Sequence, residues 1–257
     1  METPRKPLPT HVAETADLPP AYRDGLESGL EVLGLRLDDD ARTAIDGHAR
    51  LLLAWTGSIN LTAIRDPAGV ALGHVIDSLS ALAILRDRGV DRFVDVGSGG
   101  GYPGLPLAAA LPAARALLAE PIGKKARFLE TVIAATGLAG IAEASAVRAE
   151  TLAGDARHRG RWPGVTARAI GGLAELIELS FPLLAPGGVL VAWKRGDLDA
   201  ELAAAERAAL ALGGGRLEVV PVHVPGLEGH CLVLATARGR APDAYPRDPG
   251  TRKRRPW

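Results

Sequence analysis

The stretch Phe93 to Leu107, FVDVGSGGGYPGLPL, constrains the fold more than any other part of the chain. An apolar run leads into Gly97, three consecutive glycines follow at 99 to 101, and a Pro-Gly-x-Pro segment then opens a helix. The order reads as a strand, a tight turn and a helix N-terminus. Glycine accepts the positive φ that such a turn demands and lets backbone N–H groups come close to a ligand. Pro103 and Pro106 suit a first helical turn, whose N–H groups have no intrahelical partner. A nucleotide-like ligand held at this turn is the first expectation, with a plain glycine-rich connection as the alternative.

At 257 residues and 47% hydrophobic content the chain can bury the core of one large α/β domain, with or without a small appendage. The N-terminus, METPRKPLPTHVAETADLPP, is rich in proline and has no hydrophobic signal region; the apolar segments read as interrupted before about 18 residues. A cytoplasmic protein without a membrane partner is expected. The single cysteine, Cys231, sits in the strand-like HCLVLA and reads as a small core hydrophobe, so neither redox chemistry nor a metal site is expected. Formal net charge is zero, but local patches set a binding field. Basic residues gather at Lys124, Lys125 and Arg127, at Arg157, His158, Arg159 and Arg161, and at Arg252, Lys253, Arg254 and Arg255.

Along the chain, residues 1–18 read as a disordered extension and 239–257 as a basic, disordered tail, because neither has hydrophobic periodicity. Residues 19–88 read as a helical segment packed on the core, with helical spacing over Ala21 to Leu33, Asp39 to Trp55 and Gly69 to Leu85. In residues 89–238 short apolar strands alternate with helices: RFVDVG, ARALLAE, AEASAV, VTARAI and GVLVAWK. That alternation implies a parallel sheet covered on both faces. Arg216 to Val224 and His230 to Ala237 follow with only a short connection, so they predict an antiparallel pair and a sheet of about seven strands. This ending separates two users of a glycine-rich first turn. A dinucleotide oxidoreductase usually continues its parallel winding, whereas class I S-adenosylmethionine-dependent methyltransferases, with a Rossmann-like sheet, end in an antiparallel hairpin. Both need an acidic residue at the end of the second strand for ribose hydroxyls, about 20 residues after the glycines. Glu120, closing LLAE, fills that position.

Six ordered blocks then resemble one family, the bacterial small-subunit ribosomal RNA guanine-N7 methyltransferases, also called glucose-inhibited division protein B. They are NLTAIRDP (Asn60 to Pro67), HVIDSL (His74 to Leu79), the glycine stretch, GKKARFLE (Gly123 to Glu130), ARAI (Ala167 to Ile170) and VAWKRG (Val191 to Gly196). The resemblance implies S-adenosylmethionine as cofactor, with contacts at Gly97, Gly99, Gly101 and Tyr102, at Glu120, at Ala149 and Glu150 after the third strand, and at Arg168. It places His74, Asp77 and Ser78 beside the cleft as orienting residues, together with Lys194, and Lys124, Lys125 and Arg127 on RNA phosphates. Trp193 is a further stacking candidate, equally readable as core. The implied partner is 16S ribosomal RNA or the small-subunit particle, the implied state a monomer. Tyr102 stands where the family commonly has a smaller aliphatic residue and Gly100 where it has proline, which suggests a looser loop.

Guanine N7 carries an in-plane lone pair and no proton, so its methylation needs no general base. Catalysis would then rest on positioning and on stabilising charge as it moves from sulfur to the base. The alternatives are a methyltransferase for another RNA or a small molecule, or a binding module that has lost activity; a nicotinamide dehydrogenase fits neither the hairpin nor the HxxDS segment.

Overall fold

The computed structural model describes residues 7–168 and 171–257. Its front third is helical. α1 (Pro20–Val32) and α2 (Asp39–Thr56) are followed by a helical run from Pro67 to Asp87. α2 starts where Asp38 accepts from the Ala41 N–H at 2.8 Å, with Asp39 and Asp40 in a first turn that favours negative charge. The third run starts where Asp66 caps the Gly69 N–H and Pro67 takes the first helical position. It consists of α3 (Pro67–Val70), a π-helical segment (Ala71–Ile76), α4 (Asp77–Leu79) and α5 (Leu82–Asp87). By length and mean hydropathy the run could cross a membrane, contrary to the expectation of short apolar segments. Its apolar residues Val70, Val75, Ile76, Leu79, Leu82 and Leu85 are instead all buried against the rest of the protein.

The remainder alternates. β1 (Arg92–Val96), α6 (Gly104–Ala110), β2 (Arg115–Ala119), α7 (Gly123–Ala135), β3 (Ala142–Ser145), α8 (Ala149–Gly154), β4 (Trp162–Arg168), α9 (Leu173–Ser180), β5 (Leu184–Arg195) and α10 (Asp199–Ala211) lead to the hairpin of β6 (Gly214–Pro221) and β7 (His230–Ala237). The sheet order is β3-β2-β1-β4-β5-β7-β6, with β1 to β5 parallel and β7 antiparallel to both its neighbours. This is the seven-stranded class I methyltransferase sheet with the expected terminal hairpin. Side chains alternate across it. Phe93 and Leu118 join a cluster with α1, α2, α6 and α7, while Val94, Val96 and Val165 join a second with α8, α9 and α10. The winding reverses between β1 and β4, and a crevice opens there at the carboxyl ends of the strands. Cys231 lies buried in β7, its thiol pKa raised by burial.

Both ends depart from the expected disorder over their described residues. Of the N-terminal extension, residues 1–6 lie outside the described residues. Beyond them Pro9 accepts from the Trp55 indole at 2.8 Å, a 3-10 turn spans Val12–Glu14, Arg50 binds Thr15, and Leu18 is buried. The C-terminal tail folds back on α9 and carries a last helix, α11 (Pro249–Arg254). Individual charges hold it. Arg247 grips Glu178, a fully buried carboxylate on α9, through its backbone N–H and its guanidinium, and the Trp257 indole donates to the same carboxylate at 2.6 Å. Burial raises the pKa of Glu178, but these donors outweigh it and leave the group below its ordinary value. The ring of Tyr245 stacks on Trp257, and the Arg247 guanidinium lies 4.8 Å from the Trp257 centroid.

Candidate functional site

The glycine turn after β1 forms one wall of the crevice. Gly97, Gly99 and Gly101 have φ of 67°, 55° and 89°, values that explain the glycines in the sequence. The turn is braced at several points. Gly97 donates to the Ala119 carbonyl at 2.8 Å, and Gly100 offers its carbonyl to His48 Nε2 at 2.7 Å. A Cβ at Gly100 would stand 3.0 Å from Leu52 Cδ1. Glu120, nearly buried at the end of β2, accepts from the Gly99 N–H and from the Ile122 N–H, each at 2.9 Å. Its carboxylate fixes the turn from the neighbouring strand and still lines the crevice. Beneath the turn Asp95 is fully buried and accepts from the Thr166 hydroxyl; burial lifts its pKa to about 6.

Three rings stack against this wall. Tyr102 lies between His48, with centroids 4.2 Å apart and planes at 20°, and His74, at 4.6 Å and 17°. The Arg168 guanidinium sits 5.6 Å above the Tyr102 ring. Burial depresses the pKa of His48 to about 4; burial and then the charge of Arg168 bring His74 to about 3. Both imidazoles are therefore neutral near pH 7. Burial also raises the Tyr102 phenol.

The opposite wall is the helical run. Its π-helical segment widens the turn, and a carbonyl freed there, that of Gly73, accepts from Arg168 Nη1 at 3.1 Å. The same nitrogen reaches Asp77 Oδ2 at 3.0 Å, and Nη2 donates to His74 Nδ1 at 3.0 Å. With Nδ1 accepting, His74 carries its proton on Nε2 and donates to Thr62 Oγ1 at 2.7 Å. Asp77 Oδ1 takes the Nδ1–H of His230 at 2.9 Å, and the Asp77 carbonyl takes the Trp193 indole N–H at 2.7 Å. One buried carboxylate thus gathers an arginine from β4 and a histidine from β7, and its backbone holds a tryptophan from β5.

The resulting crevice, about 410 Å³, is lined by the turn from Gly97 to Gly100, and by Tyr102, Glu120, Lys125, Arg168, His74 and Asp77. A second cavity of about 270 Å³ adjoins it through Asp77, Arg168 and His230 and adds Trp193 and Lys194. Lys194 is paired with Glu201 on α10 at 2.7 Å. The larger volume lies within the roughly 300–1,000 Å³ of small-molecule sites, and a wall of side-chain-free backbone beside a buried carboxylate fits a nucleoside-bearing cofactor.

The remaining expected site residues have these surroundings. Ser78 is buried and its hydroxyl donates back to the His74 carbonyl at 2.6 Å, so it holds the helix rather than facing the crevice. Trp193 is core, with its indole bound to Asp77. Ala149 packs in the second cluster, and the Glu150 carboxylate is taken by Arg252 of the tail at 2.5 Å. Of the first basic cluster, Lys125 lines the crevice while Lys124 and Arg127 are exposed on α7. The second cluster is largely structural: Arg157 pairs with Asp155, His158 stacks on Trp162, and Arg159 donates to the carbonyls of Ala241, Pro242 and Tyr245. In ARAI, Ala169 and Ile170 lie outside the described residues. His48 and His230 were missed. His48 has a detectable signal, a histidine on the apolar face of a helix, whereas His230 looks like an ordinary first residue of a strand.

A seven-stranded sheet ending in a hairpin, with a glycine turn and an acidic strand end at its switch point, defines a class I S-adenosylmethionine-dependent methyltransferase. The O-methyltransferase from Bacillus cereus, solved in complex with SAH, shares this fold at a TM-score of 0.54 and 14% identity, over 74% of this chain and 91% of that one. The family model for rRNA small subunit methyltransferase G, GidB, matches residues 42–228, and the chain belongs to that family. Its relatives include the ribosomal RNA small subunit methyltransferase G of Roseiflexus sp. strain RS-1, 40% identical over 87% of this chain and 94% of the relative. The protein of the same name from Rubrobacter xylanophilus is 40% identical over 91% of this chain and 90% of its own length.

Proposed function

We propose that the chain methylates N7 of a guanine in a loop of 16S ribosomal RNA. The observation that carries this reading is that the matched family segment, residues 42–228, contains both walls of one crevice, the glycine turn and the Asp77–Arg168 network. S-adenosylmethionine supplies an activated methyl group on a sulfonium. The backbone of Gly97 and Gly99 admits its close approach, while Gly101 turns toward Leu105 and His48 beneath the wall; Glu120 accepts from ribose hydroxyls, and Tyr102 packs beside the cofactor. Arg168, oriented by Asp77, His74 and Gly73, carries a fixed positive charge at the edge of β4. The neutral His74 and the Asp77–His230 pair hold that charge in place and act on no proton of the substrate. N7 already offers a lone pair, so the work of these residues is alignment and charge stabilisation. N7 is inaccessible in the deep major groove of an RNA helix, so a loop guanine turned into the crevice is required. The adjoining cavity bounded by Arg168, Trp193 and Lys194 has room for a base. Lys124, Lys125 and Arg127 would meet phosphates.

The test is removal of the gene followed by mapping of N7-methylguanosine in 16S ribosomal RNA by reductive strand cleavage. One site should lose its modification and regain it when the gene is restored; an unchanged profile refutes the proposal.

A further inference from the structure

The tail offers a surface that the methyl-transfer site does not explain. After β7 the chain runs back along α9 in the opposite direction: Arg247 meets Glu178 near the end of that helix, and Arg252 meets Glu175 in its first turn. The Arg252 guanidinium also takes Glu150, in the first turn of α8. In the chain α8 comes next after β3 and α9 next after β4, so their first turns, and α11 with them, lie at the carboxyl edge of the sheet, on the rim that holds the crevice. Lys253 shares a cavity wall with Gly172, four residues beyond Arg168.

Inward and outward charges of the tail are sorted. Arg247 and Arg252 are consumed by buried or partly buried carboxylates, and Arg252 is itself buried. Lys253, Arg254 and Arg255 are exposed, and none of them enters a salt bridge among the described residues. The carboxylate that acts on Arg254, Asp248, is spent on capping Thr251. A short helix of six residues held by its own arginines therefore presents three further cations to solvent. Arg148, exposed at the start of α8, and Lys124 and Lys125, at the start of α7, stand along the same rim.

We propose that the C-terminal helix is an RNA-binding platform: Lys253, Arg254 and Arg255 contact phosphates of the substrate strand flanking the target base, continuing a cationic rim that starts at α7. The proposal rests on the RNA substrate of the preceding section. Its chemistry is that of phosphate neutralisation, with no part in methyl transfer itself. Since the platform is stapled through Arg247, Arg252 and Trp257, its outward charges can be reversed while the staples remain.

The experiment compares the full chain with the K253E/R254E/R255E variant, measuring affinity for small-subunit ribosomal RNA and for the assembled small subunit across a salt series, and affinity for S-adenosylmethionine. Wild-type methylation of the RNA, tested first, stands or falls with the proposed function alone. If the platform holds phosphates, the variant binds both RNA forms about tenfold or more weakly near 0.1 M salt. The slope of log affinity against log salt shrinks by about 2, the share of three phosphate contacts at roughly 0.7 each. Cofactor affinity stays at the wild-type value. Unchanged RNA affinity and slope overturn the proposal. So does an equal loss of cofactor affinity, which would make the three residues part of the fold, and so does weakening confined to the assembled particle, which would assign the surface to a ribosomal protein.

Discussion

Lowering the pH should loosen this protein through the two histidines that flank Tyr102. His48 is almost completely buried and keeps its imidazole neutral down to about pH 4. The sign follows from proton counting. In the unfolded chain a histidine titrates near 6.5, so below that pH the unfolded state binds a proton that the folded state refuses. Stability contributed by His48 is thus intact above about pH 6.5 and falls as pH drops toward 4. At pH 5 the unfolded histidine is nearly all protonated and the folded one is not, a difference of about 2 kcal/mol. His74, only half-buried on the crevice wall, titrates lower still but is partly screened by water, so its share is at most about the same. Asp95 opposes the trend. Its pKa of about 6 means that the folded state takes up a proton first as pH falls, which offsets about 1 kcal/mol at pH 5. The histidines win, and their share is isolated by a variant. His48→Gln keeps a side-chain amide that can donate to the Gly100 carbonyl and cannot titrate. Denaturant unfolding of both proteins at pH 8 and pH 5 should show the wild type losing about 2 kcal/mol more than the variant over that interval. Parallel losses would refute the assignment of a neutral, buried His48.

Arg168→Gln should unpair Asp77, whose other side-chain partner is His230, and leave a buried carboxylate short of a counter-charge. Breaking a buried pair from one side costs about 3–5 kcal/mol, readable as a marked fall in Tm, and cofactor titration should show weakened binding even where the variant is folded. A Tm within a degree or two of wild type would contradict the network. Glu178→Gln removes the charge that Arg247 and Trp257 share, so limited proteolysis should clip the tail between Arg252 and Arg255 in the variant well before the wild type. Equal resistance would mean that the staple does not hold the tail.

The parts of the fold that follow local rules were legible. The strand, glycine turn and proline-opened helix came from backbone requirements, and the strand alternation and terminal hairpin from hydrophobic period and spacing. The position of Glu120 after β2 was legible because the sheet dictates it. The tail was not legible because it has no apolar face to produce a period; two arginines hold it, Arg247 on Glu178 and Arg252 on both Glu150 and Glu175. Two signals existed. Glu178 falls among the buried leucines and isoleucine of the helix LAELIELS and so demands a cation, and Tyr245 and Trp257 are aromatic residues that a solvated tail does not need. The inward turn of Ser78 was not legible because it depends on an irregular, buried stretch of helix that residue types alone do not reveal. The segment is π-helical before Asp77 and buried after it.

Asp77 has consequences for the order in which the protein can become competent. It is bound to Arg168, 91 residues later, and to His230, 153 residues later. A nascent chain would have made the glycine turn and both carboxylates of the crevice long before β7 leaves the ribosome, yet the histidine that steadies Asp77 is the first residue of that strand. Until it arrives, the arginine of β4 has an incompletely held anchor and the crevice an unfinished wall. Completion of the crevice is in this sense a late event in synthesis, and a chain stopped short of β7 would carry the glycine motif beside an Asp77 held by Arg168 alone.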